Sequence, residues 1–137
     1  MSGGKRISLK EAKVLEQEYV KTRANSLNKT LKSKGVIENE DVRDVWFDLN
    51  AVKEYIAYVE AEAAKKGIKN GLGLRVYLGA YPNDQKHLNA GESTVFFIPT
   101  QQVASQTKNG DNIDNENMED VDGFNWGQNG GYPPRGI

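Results

Sequence analysis

Residues 49–82 place the clearest helical pattern of the chain directly before its clearest strand pattern, and this succession most restricts the fold. The apolar helix positions recur at steps of three and four residues; they are Leu49, Val52, Ile56, Val59 and Ala63. Asp48 or Asn50 can cap the beginning of this helix, and Gly67 supplies the residue beyond its end. Because a one-sided helix needs a second layer to cover its apolar face, the stretch predicts a packed layered domain.

The strand pattern "GLGLRVYLGAYP", residues 71–82, has two different faces. Alternation turns Leu74, Val76 and Leu78 to one side and an arginine with two tyrosines to the other. We expect the aliphatic side to meet the helices. Arg75, Tyr77 and Tyr81 would then lie on a sheet face that no helix covers.

A first helix is predicted to begin at Ser8, because Ser8 and Glu11 have the spacing of a capping box. Its apolar stripe consists of Ala12, Leu15, Tyr19 and Thr22. The helix is expected to end near Asn25. Residues 24–41 show neither period cleanly and predict a long connection, with or without one helical turn.

Two further strands are predicted from β-branched and aromatic residues. Residues 42–49 alternate apolar and polar side chains, and "TVFFIPT" follows the polar loop "PNDQKHLNAGES" in the manner of a hairpin. Pro99 lacks a ladder donor, so this last strand should be an edge strand or end there.

The resulting fold class is α+β, a small two-layer domain with the order α-β-α-β-β. Two helices would cover one face of a short, mainly antiparallel sheet. Residues 1–103 would form this single domain. Residues 104–137, rich in Asn, Asp and Gly, have few aliphatics to offset the entropy of ordering, so we expect a flexible acidic tail.

Charge and composition exclude several classes of protein. Residues 1–35 carry nine Lys/Arg and three Asp/Glu, whereas residues 104–137 carry two and six, so a net charge of -1 conceals a basic head and an acidic tail. The absence of cysteine excludes disulfides and thiolate chemistry, and favours a cytoplasmic location. No apolar run approaches the roughly 20 residues that span a bilayer.

Several motifs resemble those of a group of small uncharacterised bacterial α+β proteins. These are "ISLKEAK" at the first helix, "GLRVYLG" and "TVFFIPT" in the strands, and "GYPPRGI" near the end of the chain. The resemblance covers residues 7–23 and 44–100 and the last few residues. It implies an α+β fold and no activity or site, because the group has none assigned.

The usual catalytic and metal-binding patterns are weak. His87, the one histidine, stands in the polar loop without a nucleophile nearby and is expected to be exposed. Gly67, Gly71 and Gly73 fit no phosphate-binding motif, and they precede a strand rather than a helix. The acidic stretch "GDNIDNENMEDVDG" does not match a calcium loop. No cofactor or metal is predicted.

The interpretation that remains is a non-catalytic protein-interaction or accessory module, which binds a protein partner or associates with itself. Its binding residues would be Arg75, Tyr77 and Tyr81 on the sheet and Trp126 and Tyr132 in the tail, since Tyr, Trp and Arg are enriched at interface centres. We expect the aromatic end of the tail to be ordered only by a partner. One alternative is nucleic-acid binding through the basic head; another is a small enzyme using Arg75, Tyr77 and His87.

Overall fold

The structure, a computed structural model, describes residues 3–84, 87–104, 113–132 and 134–137. The helices are α1 (Leu9–Tyr19), a π-helical turn (Val20–Ala24), α2 (Asn25–Ser33) and α3 (Leu49–Lys65). The strands are β1 (Val45–Trp46), β2 (Gly73–Ala80), β3 (Ser93–Ala104), β4 (Ile113–Asn117) and β5 (Gln128–Asn129). One sheet has the order β2-β3-β4, and β1 pairs with β5.

The α+β class is confirmed, but the predicted element order and the disordered tail are not. A second helical segment follows α1, and β4 and β5 lie within residues 104–137. The predicted connection over residues 24–41 therefore begins with nine residues of helix α2.

The described chain divides into two compact units, each built from separate stretches of sequence. Unit 1 contains Met1–Val45, Ala80–Thr94 and Asn129–Ile137, and unit 2 contains Trp46–Gly79 and Val95–Gln128. Both units include residues beyond position 103, where the sequence placed the end of the domain.

In unit 1, the predicted capping box at the start of α1 is confirmed. The Glu11 N–H donates to Ser8 Oγ over 3.0 Å, and the Ser8 N–H donates to Glu11 Oε2 over 2.8 Å. The helical path continues past Asn25 to Ser33. No residue of α1 is buried, and Leu15 of the predicted stripe is 63% exposed.

A buried carboxylate fixes the segment after α2 in unit 1. Asp41 is only 5% exposed and accepts hydrogen bonds from the backbone N–H of Val42 and from both the N–H and the hydroxyl of Ser93. The Asp41 N–H in turn donates to Asn28 Oδ1 over 2.7 Å. Since every partner of the carboxylate is a neutral donor, Asp41 has a structural role: its hydrogen bonds connect α2 with the start of β3.

In unit 2, α3 has the predicted ends. Asp48 caps it by accepting from the Ala51 N–H over 2.9 Å, and Gly67 adopts a φ of +75° beyond its last turn. The buried face differs in part from the predicted stripe: Tyr55, Val59 and Ala63 are buried, whereas Leu49 and Ile56 are exposed. The core around Ala63 contains Met118 and Val121, with Tyr58, Ile68 and Leu72 packed against it.

The region predicted to be a tail supplies much of this core. Phe124 exchanges two backbone hydrogen bonds with Phe97, at 2.8 and 2.9 Å, and its ring stacks on that of Tyr55 at 4.8 Å. The predicted flexibility was based on the small number of aliphatic residues in this region. Met118, Val121 and Phe124 nevertheless recur at every third position and pack against α3 or the sheet. Residues 105–112 and Pro133, also assigned to the tail, lie outside the described residues.

Strand β3 is central, not the edge strand predicted from Pro99. The β3–β4 ladder runs from Thr100 opposite Asn117 to Ala104 opposite Ile113. Just beyond it, the Pro99 carbonyl accepts from the Met118 N–H over 2.9 Å. Because Pro99 stands at the end of this ladder, its missing N–H removes none of the paired bonds.

Candidate functional site

Strand β2 carries the predicted site, but its aliphatic face is covered only in part, at Leu74. Arg75 and Tyr77 are half-buried, whereas Val76 is 55% and Leu78 88% exposed. The prediction assumed that helices would cover the aliphatic side. In unit 2, α3 packs its buried face on Met118, Val121 and Phe124, and on the aliphatic side of β2 it lies beside Leu74.

A chain of hydrogen bonds fixes Arg75 and Tyr77 over the sheet. Arg75 Nη1 donates to Asn117 Oδ1 over 2.5 Å, and Nη2 donates to the Asn115 carbonyl over 2.7 Å. Asn117 Nδ2 then donates to the Tyr77 hydroxyl over 2.7 Å. The Tyr77 ring stacks on Phe96 with a centroid distance of 5.3 Å and an interplanar angle of 10°. Hydrogen bonds and stacking therefore hold both predicted residues in fixed orientations.

These side chains line an open groove of about 800 Å³ in unit 2. Its apolar lining consists of Phe96, Ile98, Met118 and Val121. Its polar lining consists of Arg75, Tyr77, Glu116, Asn117 and Glu119. A groove with aromatic and aliphatic walls and a few oriented polar groups has the composition of a binding site.

The charges of the groove are only partly compensated. Both acceptors of Arg75 are neutral, and no carboxylate forms an ion pair with it among the described residues. Glu116 and Glu119 are exposed at the same groove. Nearby, a hydrogen bond from Lys66 holds the pKa of Asp120 below its usual range. The groove thus combines one positive centre with a negative rim.

Two tyrosines of α3 hold the loop that follows the groove segment. The Tyr55 hydroxyl donates to the Asp122 carbonyl over 2.9 Å, and the Tyr58 hydroxyl accepts from the Asp122 N–H over 3.1 Å. Burial, with smaller contributions from Tyr58 and the Asp122 carboxylate, raises the pKa of Tyr55 to about 12. Tyr55 therefore stays protonated at neutral pH and acts as a structural donor.

Tyr81 lies in unit 1, whereas Arg75 and Tyr77 lie in unit 2. The Thr94 hydroxyl donates to the Tyr81 hydroxyl over 3.3 Å, and the Tyr81 ring stacks on His87 at 4.3 Å. His87 is half-buried, contrary to the exposed position expected, and its Nδ1 accepts from the Asn89 N–H over 2.9 Å. Tyr81 and His87 thus support the loop in which they stand.

The two aromatic residues predicted near the end of the chain are exposed. Trp126 is 74% and Tyr132 62% exposed. Trp126 also has a φ of +67°, which is uncommon for a bulky side chain. Neither residue lines the groove that contains Arg75 and Tyr77, which we call the Arg75 groove.

A second cavity of unit 2, about 480 Å³, lies between α3 and the start of β2. Ile56, Val59 and Leu74 form its apolar part, next to the segment from Lys69 to Gly73. A side chain at Gly73 would collide with Thr100, so this glycine allows β2 and β3 to pack closely, whereas Gly71 precedes the strand and adopts a φ of +73°.

Three observations on the described residues concern the other kinds of function considered from the sequence, namely metal binding, binding through the basic head and membrane insertion. No set of three or more potential metal-ligating side chains occurs in that part of the chain. In unit 1, Arg43 pairs with Glu16 over 2.9 Å, which neutralises one cation beside the basic helix. Across the described ranges, no helix combines the length and apolarity needed to cross a membrane.

No protein-family model, curated protein or solved structure matches this chain. The resemblance drawn from its motifs therefore stays a prediction. The sequence analysis named Arg75 and Tyr77 as candidates but not Asn117, which hydrogen-bonds to both of them, because Asn117 is 40 residues from Tyr77 in the chain. The alternation in "TVFFIPT" could have placed Phe96 and Ile98 on one face.

Proposed function

We propose that this chain is a non-catalytic protein-interaction module that binds a protein partner in the Arg75 groove. The observation that carries the proposal is the guanidinium of Arg75, held by two neutral acceptors beside stacked aromatic rings. A prepositioned arginine and tyrosine lose little side-chain entropy on binding, and both types are common in interface hot spots. With no cysteine in the chain, a cytoplasmic location remains part of the proposal.

The groove favours a particular chemistry in the partner. Phe96 and Ile98, which are half-buried, offer contact area for an apolar side chain. The remaining N–H groups of Arg75 can donate to a carboxylate or a backbone carbonyl. Exposed Glu116 and Glu119 favour a basic residue at the rim. The partner segment is therefore a polypeptide that places an apolar residue next to a basic one.

Selection from a random peptide-display library on the immobilised full chain tests this proposal. We expect enriched peptides with an apolar residue beside a basic one, and calorimetry should show binding weakened at least about tenfold by Arg75→Gln. Replacing both Glu116 and Glu119 with Gln should weaken binding of the same peptides. Lys69→Gln is the matched control, since Lys69 is exposed in unit 2 and lines the other cavity.

Two results would contradict the proposal. One is the absence of enriched sequences, or binding that the groove variants leave unchanged while circular dichroism shows them folded. The other is retention of DNA or RNA with an affinity that falls steeply with salt, which would support the basic-head alternative.

A further inference from the structure

Strand β2 has an edge with no partner strand within the described chain. At the end of the hairpin, the Tyr81 N–H donates to the Glu92 carbonyl and the Tyr81 carbonyl accepts from the Gly91 N–H. Because bonding direction alternates along an antiparallel strand, odd-numbered residues of β2 turn their backbone groups toward β3. Those of Leu74, Val76 and Leu78 therefore point to the unpartnered edge.

This edge lacks the features that normally prevent strands from pairing. Proteins protect exposed edges with short strands, charged side chains, prolines or bulges. β2 has eight residues and no proline, and its one charged residue, Arg75, reaches across to β4. The opposite edge shows the usual protection, since β4 has five residues and carries Asp114 and Glu116. Of the two edges of the described three-stranded sheet, the β2 edge is therefore the one left open to pairing.

The exposed side chains of the same strand are aliphatic. Val76 and Leu78 are 55% and 88% exposed, although they lie on the same face of β2 as Leu74, which is half-buried beside Ile56 and Val59 of α3. An added strand would pair with the backbone edge and would also place its own side chains beside these two. The occupant should therefore carry an alternating aliphatic pattern, which β2 itself carries.

We propose that β2 pairs antiparallel with β2 of a second copy of this chain, about a two-fold axis at Val76. Val76 then lies opposite its counterpart, and Leu74 lies opposite Leu78 of the other copy, which brings six aliphatic side chains together on one face. Arg75 lies opposite the other copy's Tyr77, so no like charges face each other. A shift by two residues that set Arg75 against Arg75 would place two cations together. This pairing uses the strand edge and does not depend on the groove partner.

Sedimentation velocity on the full chain tests the dimer. From about 10 µM to about 1 mM, the mass should rise from 15.2 kDa toward twice that value. Val76→Lys should stay monomeric at concentrations at least about tenfold higher, because two lysines would meet at the axis. Leu15→Lys is the matched control, with a similarly exposed aliphatic residue on α1, and should dimerise normally.

Disulfide trapping tests the register and does not depend on the Lys variant folding. The chain has no cysteine, so an introduced one has no other thiol to join. Directly opposed residues in a hydrogen-bonded pair lie about 5.5 Å apart between Cα atoms, within disulfide range. Val76→Cys should therefore cross-link with itself. Leu78→Cys should cross-link only when mixed with Leu74→Cys.

The proposal is overturned if the wild type remains monomeric at the highest concentration. It is equally overturned if Val76→Lys dimerises like the wild type, if Leu15→Lys also abolishes the dimer, or if Leu78→Cys cross-links with itself as fast as Val76→Cys.

Discussion

Asn117 gives Arg75 and Tyr77 their fixed positions, because its side chain accepts from one and donates to the other. Alternation along β2 was enough to predict that Arg75 and Tyr77 share a face. It could not predict Asn117, which reaches them only after β4 pairs with β3. The residue types of the site are thus local information, whereas their orientation depends on contacts distant in sequence.

Tyr55 should make stability depend on pH in the alkaline range. Its pKa is about 12 in the folded protein against 10.0 for the ordinary side chain, mainly because it is buried. The folded state therefore holds this proton more tightly. The resulting contribution to the free energy of unfolding is fully present below pH 10. It is lost as the pH rises toward 12, by at most about 1.4 kcal/mol per pH unit.

Urea unfolding of the wild type and Tyr55→Phe at several alkaline pH values measures this effect. We expect the difference in free energy of unfolding between the two to shrink from pH 9 to about pH 11.5. Tyr132→Phe, at an exposed site, should differ from the wild type by the same small amount throughout. A constant difference for Tyr55→Phe would show that its pKa is not raised.

Helix α1 depends more on its cap than on burial, since none of its residues is buried. Removing the Ser8 hydroxyl should cost about 1 kcal/mol at the N-terminus of the helix. We expect Ser8→Ala to speed amide hydrogen exchange about fivefold in the first turn, with little change in global stability.

Ser26→Ala provides the comparison for this prediction. Ser26 is exposed inside α2 and caps nothing, so exchange in α2 should stay the same or slow slightly. Equal effects of the two substitutions would contradict the role of the capping box.

The segment after β4 is ordered by aromatic contacts rather than by aliphatic content. The Phe124 ring lies 5.4 Å from Phe47 and 6.1 Å from Phe97, in addition to its stacking on Tyr55. Phe124→Ala should lower the free energy of unfolding by about 2 kcal/mol or more. Trp126→Ala, two residues away but 74% exposed, should change it by no more than about 0.5 kcal/mol.

Urea denaturation of the wild type, Phe124→Ala and Trp126→Ala, monitored by far-ultraviolet circular dichroism, measures this difference. If Phe124→Ala were as stable as Trp126→Ala, the segment would not be packed against unit 2. The original expectation of a flexible tail would then be right.

On the scale of the whole molecule, composition was the least informative part of the sequence. The low share of hydrophobic residues, 37%, suggested that the end of the chain stays outside the core. Yet Met118 and Val121 are buried with Ala63 of α3. A few well-spaced apolar residues can order a polar segment when a preformed surface receives them, and composition carries no information about that surface.

The sequence by itself determined the start of α1, both ends of α3, the approximate extent of β2 and the α+β class. Caps and periodicities act over one or two turns, so the residues concerned are neighbours in the chain. The tertiary structure alone decided that Val76 and Leu78 are exposed, that Pro99 lies in a central strand and that Phe124 is packed. Each of these depends on which segment packs against the residue, and that segment lies far away in the sequence.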